Sequence, residues 1–120
     1  MSLSIDAVHL LDTLIQTYLS NQQPDKALAL LRAQQVYGPL SVRRRLVLAQ
    51  SQIRCGLASQ ALETLDQVLA QSPQTQLLLA CYLLRATALQ EVGLEAQAVQ
   101  AMQDYVQLRS TSRVDQKEQQ

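Results

Sequence analysis

Apolar residues recur at intervals of three and four along most of the chain, in segments that short polar turns separate. The segment from Gly56 to Pro73 shows this pattern most clearly, because a glycine precedes its turn and a proline ends its apolar stripe. The stripe includes Leu62, Leu65 and Leu69. Since residues three and four apart share one face of an α-helix, the segment is predicted to be an amphipathic helix.

The same pattern predicts six helices, which cover residues 4–20, 25–37, 41–55, 58–71, 76–92 and 95–109. Ser4 is a suitable N-cap for the first helix. Pro24 suits an early position of the second, where the N–H that proline lacks is not needed. Residues 110–120 lose the apolar period and are predicted to form a polar, disordered tail. The chain is therefore expected to be one all-α domain, residues 4–109, followed by this tail.

Corresponding positions of the pattern are 34 to 37 residues apart. Ala27 and Ala61 are separated by 34 residues, as are Pro39 and Pro73, and Ala98 follows Ala61 by 37. Each interval contains two predicted helices. A two-helix unit of this length does not bury its apolar face alone, so three units are expected to stack side by side.

This repeat resembles the tetratricopeptide repeat (TPR), a helical hairpin with a period of 34 residues. The middle unit matches the TPR pattern at Leu48, Ala49, Gly56, Ala61, Leu65 and Pro73 and departs from it at Arg45 and Gln52. The first unit matches at Leu11, Leu14, Tyr18, Ala27, Leu31 and Pro39, and the third at Tyr82, Ala86, Gly93, Ala98 and Met102. The resemblance implies an all-α fold of three TPR-like helical hairpins, stacked as a short right-handed superhelix with a concave groove.

A closer resemblance is to the small chaperones of bacterial type III secretion systems, above all the Y-type export chaperones. It covers the segment from Leu30 to Val47 with its arginine cluster, the pair Arg85-Ala86 and the segment from Tyr105 to Arg109. It implies a chaperone that holds the small secreted X-type export component, with the export gate as a further partner. The needle-subunit chaperone of the same systems and a TPR scaffold or adaptor for a short peptide stay alternatives.

The TPR geometry implies that the first helix of each pair lines the concave groove. The residues implied, in chain order, are His9, Asp12, Gln16, Leu19, Arg43, Leu46, Gln50, Ile53, Ala80, Leu83, Thr87 and Gln90. Apolar residues with glutamines between them suit an amphipathic helix or an extended apolar segment of a partner protein. The leucines and the isoleucine are equally suited to packing between adjacent units, and this alternative stays open.

The last predicted helix carries an apolar stripe that no following helix covers. The stripe includes Met102, Tyr105 and Val106 beside Ala98 and Val99, which is too wide for one neighbouring pair to cover. Terminal repeats normally present a polar outer face. We therefore expect a partner protein to cover this face or the groove, or a second copy of the chain to form a homodimer when the partner is absent.

Charge and composition limit the kinds of molecule that the chain is expected to bind. The chain has 10 basic and 10 acidic residues, a formal net charge of zero, and so no general attraction for nucleic acid or anionic membranes. Arg43, Arg44 and Arg45 point in three directions around a helix, and one or two of them are expected to pair with nearby carboxylates. The alternative is that Arg43 lies on the concave side and holds a peptide's carboxylate through charged hydrogen bonds. No apolar stretch is long enough to cross a bilayer and the N-terminus lacks the pattern of a secretory signal. A cytoplasmic location without nucleic-acid binding or membrane insertion is expected.

Groups with catalytic chemistry are few. His9 is the only histidine, and no nucleophile or carboxylate pair accompanies it at a fixed spacing. The sequence has no phosphate-binding loop, nucleophile elbow or metal-ligand motif. Cys55 and Cys81 lack metal-ligand spacing and are expected to be reduced thiols. The sequence therefore predicts a protein-binding module without enzymatic activity, metal or cofactor.

Overall fold

The structure is a computed structural model that describes the backbone of residues 4–118 and the side chains of residues 4–113. Its six α-helices are α1 (Ile5–Ser20), α2 (Pro24–Gln35), α3 (Val42–Arg54), α4 (Ala58–Ala70), α5 (Thr75–Glu91) and α6 (Glu95–Glu118). No β-strand occurs among residues 4–118. The predicted all-α fold and the predicted number of helices are confirmed.

Local side chains determine where several helices begin. The hydroxyl of Ser4 accepts a hydrogen bond from the backbone N–H of Ala7 at 3.2 Å, so this serine caps α1 as predicted. Ser41 caps α3 in the same way, through the N–H of Arg44 at 3.2 Å. Pro24 occupies the first turn of α2. The first backbone N–H groups of a helix have no carbonyl partner within the helix. The two serines each accept a hydrogen bond from one of these groups, and Pro24 has no N–H that would need a partner.

Three of the connections between helices share one backbone geometry. The turns after α1, α3 and α5 each contain a residue with positive φ, namely Gln22 (61°), Gly56 (78°) and Gly93 (85°). In each turn the next N–H donates to the carbonyl five residues back, at 2.8 to 2.9 Å: Gln23 to Tyr18, Leu57 to Gln52 and Leu94 to Leu89. This is the Schellman arrangement of a helix C-terminus. The spacing of these turns is 34 and 37 residues, so the sequence period is also a period of backbone conformation.

Each helix packs against the next one along the chain, and α3 also packs against α5. The core has three parts. The first lies among α1, α2 and α3 around Ile15 and Leu31, and the second among α3, α4 and α5 around Leu65 and Val68. The third part, between α5 and α6, includes four buried residues among the side chains of residues 4–113, fewer than either of the other two. Apolar packing therefore becomes thinner toward the last helix.

Two ion pairs connect helices that the core clusters also join. Arg44 of α3 donates from Nε and Nη2 to the two carboxylate oxygens of Asp12 in α1, at 3.0 and 2.6 Å. Arg85 of α5 donates to Asp66 of α4 at 2.7 Å. The prediction that the arginine cluster contributes one or two ion pairs is confirmed by Arg44. Its two parallel hydrogen bonds set the position of α1 against α3 more closely than a single contact would.

Helix α6 is longer than predicted, because it continues to Glu118 and does not end at Arg109. No glycine or proline occurs after Gly93, so the residues that commonly end helices are missing here. The hydroxyl of Thr111 donates to the carbonyl of Gln107 at 3.0 Å, within the helical backbone. The loss of apolar periodicity thus marks the end of the buried face and not the end of the helix. Residues 119 and 120 of the predicted tail lie outside the described residues.

Candidate protein-binding groove

The contact between α5 and α6 is built mainly from small residues. Its buried members are Ala86, Leu89, Ala98 and Ala101, with the half-buried Leu62 of α4 packed against them. Alanines at a helix crossing allow the two backbones to approach closely. The buried side chains of α6 in this contact are therefore alanines, whereas Tyr105 and Leu108 are half-buried.

Three larger apolar side chains of α6 lie outside this contact. Val99, Met102 and Val106 are 56%, 40% and 55% exposed, respectively. Their spacing of three and four residues aligns them along one side of the helix. Full burial of a side chain of this size is worth about 1.5–3 kcal/mol. The exposed halves of these three side chains therefore represent favourable free energy that a covering surface would gain.

These side chains form one wall of a groove between α5 and α6, with a volume of about 690 Å³. The wall from α5 consists of Ala86, Thr87 and Gln90. The wall from α6 consists of Glu95, Ala98, Val99, Met102, Gln103, Val106 and Gln107. An apolar floor with amide side chains beside it suits the apolar face of a helix, whose flanking polar groups can then reach the glutamines.

Two surfaces that the sequence analysis treated separately meet in this groove. Thr87 and Gln90 were assigned to the concave face, and Met102 and Val106 to the exposed face of the last helix; all four line the groove. Tyr105 is half-buried and does not line it. Leu83 and Ala80 lie on α5 outside the lining, and Leu83 is exposed whereas Ala80 is half-buried.

Three other residues of the predicted concave face are buried. Leu19 packs in the core cluster of α1, α2 and α3, and Leu46 and Ile53 pack in the cluster of α3, α4 and α5. Their side chains hold the helices together, which is the alternative that the sequence left open for them. In this conformation they present little surface to a partner.

The remaining predicted residues lie apart from the α5–α6 groove. Asp12 and Gln16 line a shallow depression of about 500 Å³ along α1, where the carboxylate of Asp12 is already paired with Arg44. His9, Arg43 and Gln50 are exposed, and none of them lines a cavity described for residues 4–113. The residues predicted for the concave face thus do not form one surface. Some line the α5–α6 groove or the depression along α1, some are buried in the core, and the others lie on the open surface.

The two cysteines are free thiols in different surroundings. Cys81 is fully buried, and this burial raises the pKa of its thiol to about 11. Burial is also the main reason why the pKa of the half-buried Cys55 is raised. Because the thiolate is the reactive form, both cysteines are weak nucleophiles at neutral pH.

Four lining residues were not predicted from the sequence to belong to a binding surface, namely Ala86, Glu95, Gln103 and Gln107. A signal for the last three was present, because they lie four or eight residues from Val99 and therefore on neighbouring positions of the same helix side. No comparable signal marks Ala86 as a groove residue. It belongs to the other helix, and only the packing of α5 against α6 makes it part of the floor.

No helix in the described part of the chain combines the length and the apolar character that crossing a membrane requires. The chain matches no known protein-family model and no curated protein.

Proposed function

We propose that this protein is a TPR-type chaperone that holds an amphipathic helix of a small partner protein in the α5–α6 groove. The observation that carries the proposal is the exposed apolar stripe of Val99, Met102 and Val106 on α6, beside the buried Ala98 and Ala101. Tyr105 and Leu108, on another side of α6, are half-buried. The three exposed side chains lie together on one side of the helix, so one covering surface would gain from burying all of them.

The repeat interpretation is supported by the turns. Gln22, Gly56 and Gly93 have the same left-handed conformation and the same hydrogen-bond pattern, at the spacing that the sequence repeats. The packing of each helix on the next, together with the packing of α3 on α5, is compatible with stacked helical hairpins. On this interpretation α5 and α6 form the third hairpin, and no helix among residues 4–118 covers its outer side.

The partner we propose is the small secreted X-type export component of a bacterial type III secretion system, and it rests on the resemblance to Y-type export chaperones. Such a partner must be kept from aggregating before export, and a groove that covers its apolar helix does this. Covering the exposed halves of Val99, Met102 and Val106 contributes roughly 3 kcal/mol in total to such a complex. The glutamines beside the groove provide hydrogen bonds for the polar edges of the bound helix.

The test is to coexpress the chain with the X-type component encoded in the same genome and to measure their complex by size-exclusion chromatography with light scattering. Val106→Asp is expected to weaken the complex at least about tenfold, because it places a charge against an apolar helix. Val36→Asp is the matched control, since Val36 is 83% exposed and lies outside the groove. The control is expected to bind like the wild type.

Other outcomes would point to a different function. Binding of the needle subunit in place of the X-type component would assign the chain to the needle-subunit chaperones. Loss of binding in Arg43→Ala, without an effect of Val106→Asp, would favour an adaptor that holds a short peptide through charged hydrogen bonds. A complex that is equally stable with Val106→Asp and Val36→Asp would refute the α5–α6 groove as the binding site.

A further inference from the structure

The exposed stripe of α6 ends in opposite charges. Glu95 precedes Val99, Met102 and Val106 on this side of the helix, and Arg109 and Arg113 follow them. The intervals along these six positions alternate between four and three residues, which is the spacing of a continuous stripe on an α-helix. The stripe is therefore acidic at its start, apolar in its middle and basic at its end.

These charges have no ion-pair partner among the described side chains. The two ion pairs of residues 4–113 join Arg44 to Asp12 and Arg85 to Asp66. Glu95, Arg109 and Arg113 are exposed. The helix dipole favours an acid near the start of a helix and bases near its end. The helix dipole does not require these charges to lie on the same side of α6 as Val99, Met102 and Val106. Their alignment with the apolar stripe therefore needs a different explanation.

The stripe is complementary to itself. Glu95 and Arg109 are each seven residues from Met102, a distance of about 10.5 Å along the helix axis in opposite directions. If a second α6 lies antiparallel across the first with a two-fold axis near Met102, Glu95 of each copy faces Arg109 of the other. Val99 of each copy then lies near Val106 of the other. A parallel arrangement would instead place like charges together.

We propose that a second copy of the chain covers the groove, with α6 packed antiparallel against α6 about a two-fold axis near Met102. Two-fold contacts require a surface that matches itself, and an apolar centre between opposite charges meets this requirement. The apolar part is limited to three large side chains in each copy, so the dimer is weak, with a dissociation constant on the order of 100 μM. The dimer itself does not depend on the proposed chaperone function. Only the replacement of the second copy by a partner's helix in the groove rests on the proposed chaperone function.

The test is sedimentation equilibrium of the full chain over a concentration series at low salt. We expect a reversible dimer in the wild type and a monomer in Met102→Asp, whereas the control Val36→Asp is expected to dimerise normally. Glu95→Arg and Arg109→Glu each turn both ion pairs of the dimer into repulsions, and each is expected to weaken it roughly fivefold to thirtyfold. Circular dichroism of each variant verifies that the helices are retained.

Combining the charge reversals gives the decisive result. The double variant Glu95→Arg with Arg109→Glu restores both pairs and is expected to dimerise like the wild type. An equimolar mixture of the two single variants is expected to form a mixed dimer, because one chain then has two arginines and the other two glutamates at these positions. Higher salt is expected to reduce all these differences, since exposed charges are screened.

A wild-type chain that stays monomeric up to about 1 mM would overturn the proposal, since the predicted dissociation constant is about tenfold lower. A dimer that Met102→Asp, Glu95→Arg and Arg109→Glu all leave unchanged would also overturn it, because the contact would then lie elsewhere. These outcomes are separate from failure of the proposed function. A chain that dimerises as described but binds no export component retains this inference and refutes the chaperone assignment.

Discussion

Replacing Gly56 by alanine is expected to destabilise the fold through the backbone alone. Gly56 lies just after α3 with φ of 78°, and the turn is closed by the N–H of Leu57, which donates to the carbonyl of Gln52 at 2.8 Å. A Cβ atom added to Gly56 would meet no other atom within 4 Å. The substitution therefore causes no clash, and its cost is that of holding an alanine in the left-handed conformation.

The magnitude follows from two opposing terms. The left-handed conformation costs an L-residue about 1–2 kcal/mol, and the lower conformational entropy of alanine in the unfolded chain offsets about 0.4–1 kcal/mol of this. The net loss of unfolding free energy in Gly56→Ala is about 1 kcal/mol, or about 4 °C in melting temperature for a chain of this size. Gln22→Gly should reverse the effect in the equivalent turn. It also loses the exposed hydrogen bond from Arg54 at 3.0 Å, so the expected gain is about 0.5 kcal/mol.

The assay is urea unfolding followed by circular dichroism at constant temperature. Gln67→Ala, at an exposed position of α4, is the control and is expected to change the unfolding free energy by less than about 0.5 kcal/mol. Unchanged stability of Gly56→Ala would refute the reasoning, since it would mean that the turn does not hold this residue in the left-handed region. A destabilised Gln22→Gly would show that the side chain of Gln22 contributes more than its conformation costs.

Four further predictions concern the core, the ion pair and the thiols. Leu65→Ala is expected to lower the unfolding free energy by about 3 kcal/mol in urea unfolding, because Leu65 is fully buried and its loss leaves a cavity. A double-mutant cycle of Asp12→Ala and Arg44→Ala is expected to give a coupling of about 0.5–1 kcal/mol that decreases at high salt, since both side chains are partly exposed. In a thiol-labelling assay at pH 8, Cys55 is expected to react in the folded protein and Cys81 only after unfolding. Because burial raises the pKa of Cys81 from 9.0 to about 11, the unfolding free energy is expected to fall between these pH values, and Cys81→Ala is expected to lose this part of the pH dependence.

Much of the helical structure could be predicted because its signals are local. Ser4 accepts a hydrogen bond three residues away, and Pro24 acts through its own ring and missing N–H. Gly56 and Gly93 end helices because only a residue without a Cβ atom adopts positive φ at little cost. The predicted end of α6 at Arg109 was wrong, because no such local signal ends the helix there. The prediction placed the end where the apolar period stops. That period shows which face is buried, and residues 110–118 contain no glycine or proline to end the helix.

The candidate site could be predicted only in part. Periodicity identifies which side chains share a face of a helix, and it placed Met102 and Val106 together. It does not identify the neighbour that covers a face. Leu19, Leu46 and Ile53 have the same apolar character as residues expected in the groove, yet adjacent helices bury all three.

The sequence alone thus determined the six helices, the repeated turns and the apolar stripe of α6, since each depends on residues within one or two helical turns of each other. The tertiary structure decided that alanines form the α5–α6 contact, that Arg44 of the arginine cluster pairs with Asp12, and that Ala86 and Gln90 share a groove with Met102. These outcomes depend on distances between helices. Such distances result from packing all side chains at once, which no local pattern records.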